Sequence, residues 1–294
     1  MKKYIIKKLS KVSHLLGFGN FEAHLNVLKK TAIETYLEQR LQHPRYNNPL
    51  LLNRFEYQVL SQNGEDGIIH EIFNRIGTQS KYFAEFGVGN GTENNSAYLL
   101  MQNWKGAWVE GSPEHCISIK ENYAAVIDNK QLQIKNSFIT KDNICKLFDE
   151  LQIPVDLDFL SIDIDGNDYW VWNELATYKP RVVAVEYNAS VGPHIEWVMP
   201  YNENHVWNGR EVGHYFGASL KSFELLGARL CYSLVGCNLT GANAFFVRND
   251  LVTPALFAAP FTSENHYEKP MYFLEKQLGH KRNHKMVNSV AYKK

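Results

Sequence analysis

The sequence predicts a doubly wound α/β domain built on a mostly parallel sheet. Three observations predict it. From about residue 64 short β-prone runs alternate with helical ones, and a glycine-rich turn closes the first of those runs and opens a helix. The chain has 294 residues, 45% hydrophobic and 21% charged, enough apolar material to bury a substantial core in one large domain or two small ones.

The elements follow in order. Residues 1–60 read as an N-terminal helical extension. Ile5, Leu9, Val12 and Leu16 recur every three or four residues with lysines between them, and Phe21 to Leu41 is a second amphipathic segment that ends before His43-Pro44. The first of these faces suits an anionic membrane surface, although packing on the body of the protein or on another subunit is the expected use. Pro44 to Leu51 reads as a linker. Gly64-Glu-Asp-Gly67 precedes the helical pattern IIHEIFNRIG. Then KYFAEFG is a first strand, Ala97 to Gln102 a helix, GAWVEG a second strand, Pro113 to Tyr123 a helix, and LQIKNSFI a third strand. DNICKLFDEL is a helix, VDLDFLSIDID a fourth strand, YWVWNEL a helix and RVVAVEYN a fifth strand. GASLKSFELLGARL is a further helix. CYSLVGC and NAFFVRN close the domain as two strands joined through Asn238-Leu-Thr-Gly241, with an antiparallel strand at this end of the sheet. Such alternation places ligands at the carboxyl ends of the strands. The main domain is expected over residues 61–250 and a peripheral basic tail over 251–294. Residues 189–216 form a long loop rich in aromatic residues, histidine and asparagine; a loop of that length inside a compact domain is expected to be functional.

Bulk charge narrows the partners. Lysines plus arginines equal aspartates plus glutamates, 31 each. Zero net charge argues against a nucleic-acid surface, which needs a positive excess to displace counterions. A small, weakly charged acceptor is the expected partner, with self-association left open. Cys116, Cys145, Cys231 and Cys237 are scattered and contain no CxxC pair, so neither a disulfide framework nor a zinc site is expected. No apolar run has the length of a membrane span, and lysines interrupt every apolar stretch of MKKYIIKKLSKVSHLLGF, which therefore lacks the core of a signal peptide. The expected location is the cytoplasm, including the inner face of its membrane.

The segment Glu85-Phe-Gly87-Val-Gly89-Asn-Gly91 lets a ligand approach the backbone closely. A dinucleotide fingerprint would have its third glycine where Thr92 stands. Glu85, just before the first glycine, would repel a pyrophosphate and can hold a cationic amino group. Glu110 ends the next strand, about twenty residues on, where a carboxylate accepts hydrogen bonds from both hydroxyls of a ribose. Alternating glycines with these two acids resemble class I S-adenosylmethionine methyltransferases of Rossmann-like fold.

The resemblance narrows further. Ser61-Gln-Asn-Gly-Glu65-Asp66, Ser161-Ile-Asp163-Ile-Asp165-Gly166-Asn167-Asp168-Tyr-Trp, and Gly217-Ala-Ser-Leu-Lys followed by Tyr232-Ser-Leu-Val-Gly-Cys look like the FkbM-type branch of those enzymes, over roughly residues 60–250. Asp165 departs from it, since many relatives carry glutamate there. The resemblance implies an O-methyltransferase acting on a hydroxyl of a sugar or glycan precursor, in surface polysaccharide biosynthesis or on a natural-product sugar. It also implies that Gln62, Glu85, Gly87, Gly89 and Gly91 cradle the methionine end of the cofactor beside Asp163. Glu110 would take the ribose, and Asn136 and Ser137 would lie near the adenine.

An acceptor hydroxyl must lose a proton, so a base or a metal ion is expected. The fourth and fifth strands end in Asp163, Asp165, Glu186 and Asn188, oxygen donors that suit Mg²⁺ or Mn²⁺. Asp163, Glu186 and Asn188 are the expected metal ligands. His194, His205 and His214 in the long loop are candidate bases. His194 is the first choice because it follows the fifth strand most closely, with Asp165 and His214 completing the catalytic set. Trp197, Tyr201, Trp207 and Tyr215 offer a platform for a sugar ring. Two rival readings are an NAD-dependent oxidoreductase, against which Thr92 counts, and a non-catalytic glycan-binding protein of the same fold.

Overall fold

Seven strands form one sheet in the order β3-β2-β1-β4-β5-β7-β6. They are β1 (Tyr82–Phe86), β2 (Lys105–Glu110), β3 (Leu132–Asn136), β4 (Phe159–Ile162), β5 (Val182–Glu186), β6 (Tyr232–Cys237) and β7 (Asn243–Arg248). The computed structural model describes residues 18–206 and 213–272. The apolar pattern at residues 5–16, Trp207 and residues 273–294 lie outside the described residues. β1 to β5 pair in parallel, whereas β7 runs antiparallel to both β5 and β6. The fold is therefore the expected Rossmann-like sheet, mostly parallel with one antiparallel strand, β7, toward its C-terminal edge.

The helices are α1 (Phe18–Leu41), α2 (Glu65–Ile76), α3 (Ala97–Met101), α4 (Pro113–Asn122), α5 (Ala124–Asp128), α6 (Ile144–Glu150), α7 (Asp168–Glu174), α8 (Leu220–Arg229) and α9 (Ser263–His266). They cover both faces of the sheet, so strand residues alternate between two cores. Phe83, Trp108 and Phe159 face one core with α2; Ala84, Phe86, Leu160 and Ile162 face the other with α6, α7 and α8. α4 begins where Ser112 accepts a hydrogen bond from the His115 N–H and Pro113 occupies the first turn, a preset start that the sequence announces. α5 was not foreseen. All four cysteines are free thiols.

Two boundaries differ from expectation. The stretch 44–51 is not an open linker: Pro44–Asn47 forms a 3₁₀ turn, and Tyr46 and Leu51 are buried. Nor are residues 251–272 peripheral. Ile33, Leu37, Tyr46, Leu51, Leu239, Ala258 and Met271 form a third core that joins α1 to the end of the described chain. At its centre the buried Glu268 accepts hydrogen bonds from Tyr46 Oη at 2.8 Å and from the Arg40 guanidinium. The tail is basic in sum, but this buried acid needs Arg40 as a partner, which fixes the two ends together.

Candidate functional site

The chain crosses from one half of the sheet to the other between β1 and β4, and the strand ends around that switch point enclose a cavity of about 350 Å³. Gly87 and Gly89 after β1, Glu110 at the end of β2, Ser137 and Phe138 after β3, and Asp163 and Asp165 after β4 all line it. The glycines are required. Gly87 has φ of +72°, and a Cβ there would stand 1.6 Å from the carbonyl oxygen of Asp163. Only a residue without a side chain lets the ends of β1 and β4 approach so closely.

Glu110 ends β2. Its carboxylate accepts hydrogen bonds from Gly89 N–H at 2.8 Å and Ser112 N–H at 2.8 Å, so it ties the glycine loop to the start of α4 while facing the cavity. Phe138 and Ile139 add an apolar wall beside Ser137, and His115 lies 3.5 Å from Glu110. Asn136 is displaced from its expected role: its amide donates to the carbonyls of Glu110 and Gly111 and shapes the turn rather than the wall. Gly91 faces Ile119, Tyr123 and Trp108 instead of the cavity.

Glu85 requires a larger correction. Its carboxylate is buried and accepts hydrogen bonds from the backbone of Asn95 at 2.8 Å, the backbone of Ser96 at 2.9 Å, and the Ser96 hydroxyl. It caps the entry to α3, where unpaired N–H groups attract a carboxylate, and it does not line the cavity. Burial pushes it up to about 7. Gln62 also stays off the cavity wall. The surrounding motif is a knot: Asp66 accepts from the N–H groups of Val59, Leu60 and Ser61. Glu65 accepts from the amides of Asn238 and Asn243 at the β6–β7 turn.

The acids after β4 and β5 converge. Asp163, Asp165 and Glu186 each present an oxygen within 4.8 Å of the others. Burial pushes the Asp163 carboxyl well above the usual carboxylate range, and the charges of Asp165, Asp168, Glu85 and Glu65 add to it. Glu186 is raised likewise by burial and then by Asp163, Asp168 and Asp165. Asp168 accepts from Ile164 N–H and Gly166 N–H at 2.8 Å each, holding Asp165 in a left-handed turn at φ of +58°. Among the described residues lining the cavity none is a lysine or an arginine. Asn188 is tied into the loop. Its amide donates to the carbonyls of His214 and Phe216 and its oxygen accepts from Ser190 N–H. Asp165, which the sequence did not count among the metal ligands, joins Asp163 and Glu186.

The loop histidines separate. His194 is exposed and 3.5 Å from Glu264, away from the cavity wall. His214 lies 3.1 Å from Ser190 Oγ on a shallow surface with Val191, Ile195, Trp197 and Tyr215, where the two aromatic rings meet edge to face at 5.6 Å. Tyr201 leaves that platform and packs under Lys141. Of these loop histidines, His205 reaches the cavity, and its Nε2 is 3.0 Å from the Asp165 carbonyl oxygen. Trp170 Nε1–H donates to Met199 and the Asn167 amide to Asn202, pinning the loop so that His205 covers Gly166. The sequence offers it among three candidate bases but ranks His194 first by proximity, because a contact across forty residues depends on how the loop folds back.

At the level of sequence, neither a family model nor a curated protein matches the chain. Solved structures resemble it in fold. One is a magnesium protoporphyrin IX methyltransferase from Synechocystis PCC 6803 with bound SAM, at 10% identity, over 63% of this chain and 77% of that one, with a TM-score of 0.42. An O-methyltransferase from Bacillus cereus in complex with SAH matches at 14% identity over 74% and 88% of the two chains, with a TM-score of 0.40. The plantazolicin methyltransferase BamL, in complex with a triazolic desmethylPZN analog and SAH, matches at 12% identity over 68% and 66%, with a TM-score of 0.37.

Proposed function

We propose that this chain is an S-adenosylmethionine-dependent O-methyltransferase, related to the FkbM-type branch, that acts on a hydroxyl of a sugar or glycan precursor. One observation carries the reading: the switch-point cavity is walled by carboxylates, with no lysine or arginine among the described residues of its lining. A dinucleotide would bring a pyrophosphate against Asp163 and Asp165. A sulfonium and an ammonium group, as on the methionine end of S-adenosylmethionine, relieve the same crowding. Glu110, Phe138 and Ile139 line this cavity, where the acid would accept from a ribose and the two apolar side chains would pack against a base.

Bound there, the cofactor would supply a methyl group on a positively charged sulfur, transferred in line to oxygen. The residues of the chain align and deprotonate. His205 donates Nε2–H to the Asp165 carbonyl, a tautomer assigned from that contact, which leaves Nδ1 to accept the hydroxyl proton. Asp163, Asp165 and Glu186 are an all-oxygen set whose mutual repulsion a divalent cation would relieve, so they fit Mg²⁺ or Mn²⁺. Held there, the ion would lower the pKa of a nearby hydroxyl.

Calorimetric titration with S-adenosylhomocysteine and with NAD tests the cofactor. Binding of the first alone is expected, and binding of NAD alone would refute the assignment. Activity on glycan precursors is expected to fall in chelator and return with Mg²⁺ or Mn²⁺; full activity in chelator would leave His205 as the base without a metal.

A further inference from the structure

We propose that an apolar stripe on the first half of α1 docks the protein on an anionic membrane surface. The stripe is Phe21, Leu25 and Leu28, which are 57%, 48% and 65% exposed. Their spacing puts them on one side of the helix. α1 packs on the body further on, through Ile33, Leu37 and Arg40. At 3.6 residues per turn that packed face lies roughly 130° around the helix from the stripe. The stripe is therefore not an extension of the face that holds α1 to the protein. At 1.5 Å per residue, the stretch before Ile33 reaches about 20 Å beyond that contact.

Charge identifies the occupant. Residues 1–30 hold seven lysines against Glu22 alone, a net of +6, although the whole chain nets zero. In the sequence Ile5, Leu9, Val12 and Leu16 recur among those lysines, a mixture of apolar and basic residues that suits the interface of a bilayer with acidic headgroups. A second copy of the chain fits less well. Three side chains cover far less than the roughly 1,200–2,000 Å² that a stable interface buries, and pairing would bring two sets of lysines together. Among the described residues no helix is long and apolar enough to cross a membrane, so the contact is with the surface.

The test is co-sedimentation of the full chain with vesicles of phosphatidylcholine alone and of phosphatidylcholine mixed with phosphatidylglycerol. Binding to the mixed vesicles only is expected, weakening at least tenfold in about 0.5 M salt, where exposed charges are screened. The variant Phe21→Glu/Leu25→Glu/Leu28→Glu should bind at least tenfold more weakly while melting at the same temperature, since none of the three side chains is buried. No binding to mixed vesicles, or equal binding by the variant, overturns the proposal. So does a vesicle-free dimer that the same variant dissolves, which would assign the stripe to a second copy. None of these readouts depends on cofactor or activity.

Discussion

Replacing Gly87 and Gly89 separately by alanine should give two different failures. Both have positive φ, +72° and +53°, a region that costs an L-residue about 1–2 kcal/mol. They differ in surroundings. A Cβ added at Gly87 would lie 1.6 Å from the Asp163 carbonyl oxygen, against a carbon–oxygen contact of roughly 3.3 Å, so the ends of β1 and β4 must part by about 1.7 Å. That displacement breaks the hydrogen bond from Asp163 N–H to the Phe86 carbonyl, now 3.3 Å long, at about 1 kcal/mol. It also repacks a full core, at about 1–3 kcal/mol. Gly87→Ala is therefore expected to lose about 3–6 kcal/mol. A Cβ at Gly89 meets nothing within 4 Å, so Gly89→Ala should lose only the backbone term, about 1–2 kcal/mol. Its new methyl is added at a residue that lines the cavity, and affinity for S-adenosylhomocysteine should fall at least about tenfold in a protein that still folds. Urea denaturation gives the stability terms and calorimetry the affinity. Equal stability losses for the two variants would refute the steric account of the β1–β4 approach.

Three further outcomes are expected. Glu110→Gln keeps the shape of the side chain but replaces an oxygen that accepts from Gly89 or Ser112 with a donor, so affinity for S-adenosylhomocysteine should drop about 10- to 100-fold by calorimetry; unchanged affinity would remove Glu110 from the cofactor site. His205→Ala should cut kcat by on the order of 10²–10⁴. His194→Ala should leave it within about twofold, because its contact with Glu264 is an exposed pair; the reverse ranking would restore His194 as the base. Burial pushes His266 from 6.5 down to about 4, so the unfolded chain takes up this proton first as pH falls. The stability linked to His266 is complete above about pH 6.5 and is lost down to about pH 4, worth about 3 kcal/mol in all. His266→Gln should flatten that dependence in urea melts, and an unchanged slope would refute the assignment.

Local chemistry explains which parts of this protein could be read along the chain. The order of strands and helices follows from apolar spacing, and the start of α4 from Ser112 and Pro113, because those signals act within a few residues. Gly87, Gly89, Glu110 and Asp163 could be placed at one site, since residues that end neighbouring parallel strands must be neighbours. The sheet, its switch point and the acids that meet there are thus written in the order of residues. What a side chain does once there depends on which unpaired groups surround it, and that is a matter of packing in three dimensions. Glu85 met the open N–H groups at the entry to α3 and became a cap. Asn188 met the carbonyls of His214 and Phe216, while Asp165 folded back beside Asp163 and Glu186. His205 reached the cavity because the loop folds back on Asn167 and Trp170, while His194, nearer along the chain, faces away. Burial of Glu268 then joined the two ends of the described chain through Arg40 and Tyr46, a contact across more than two hundred residues that no local pattern encodes.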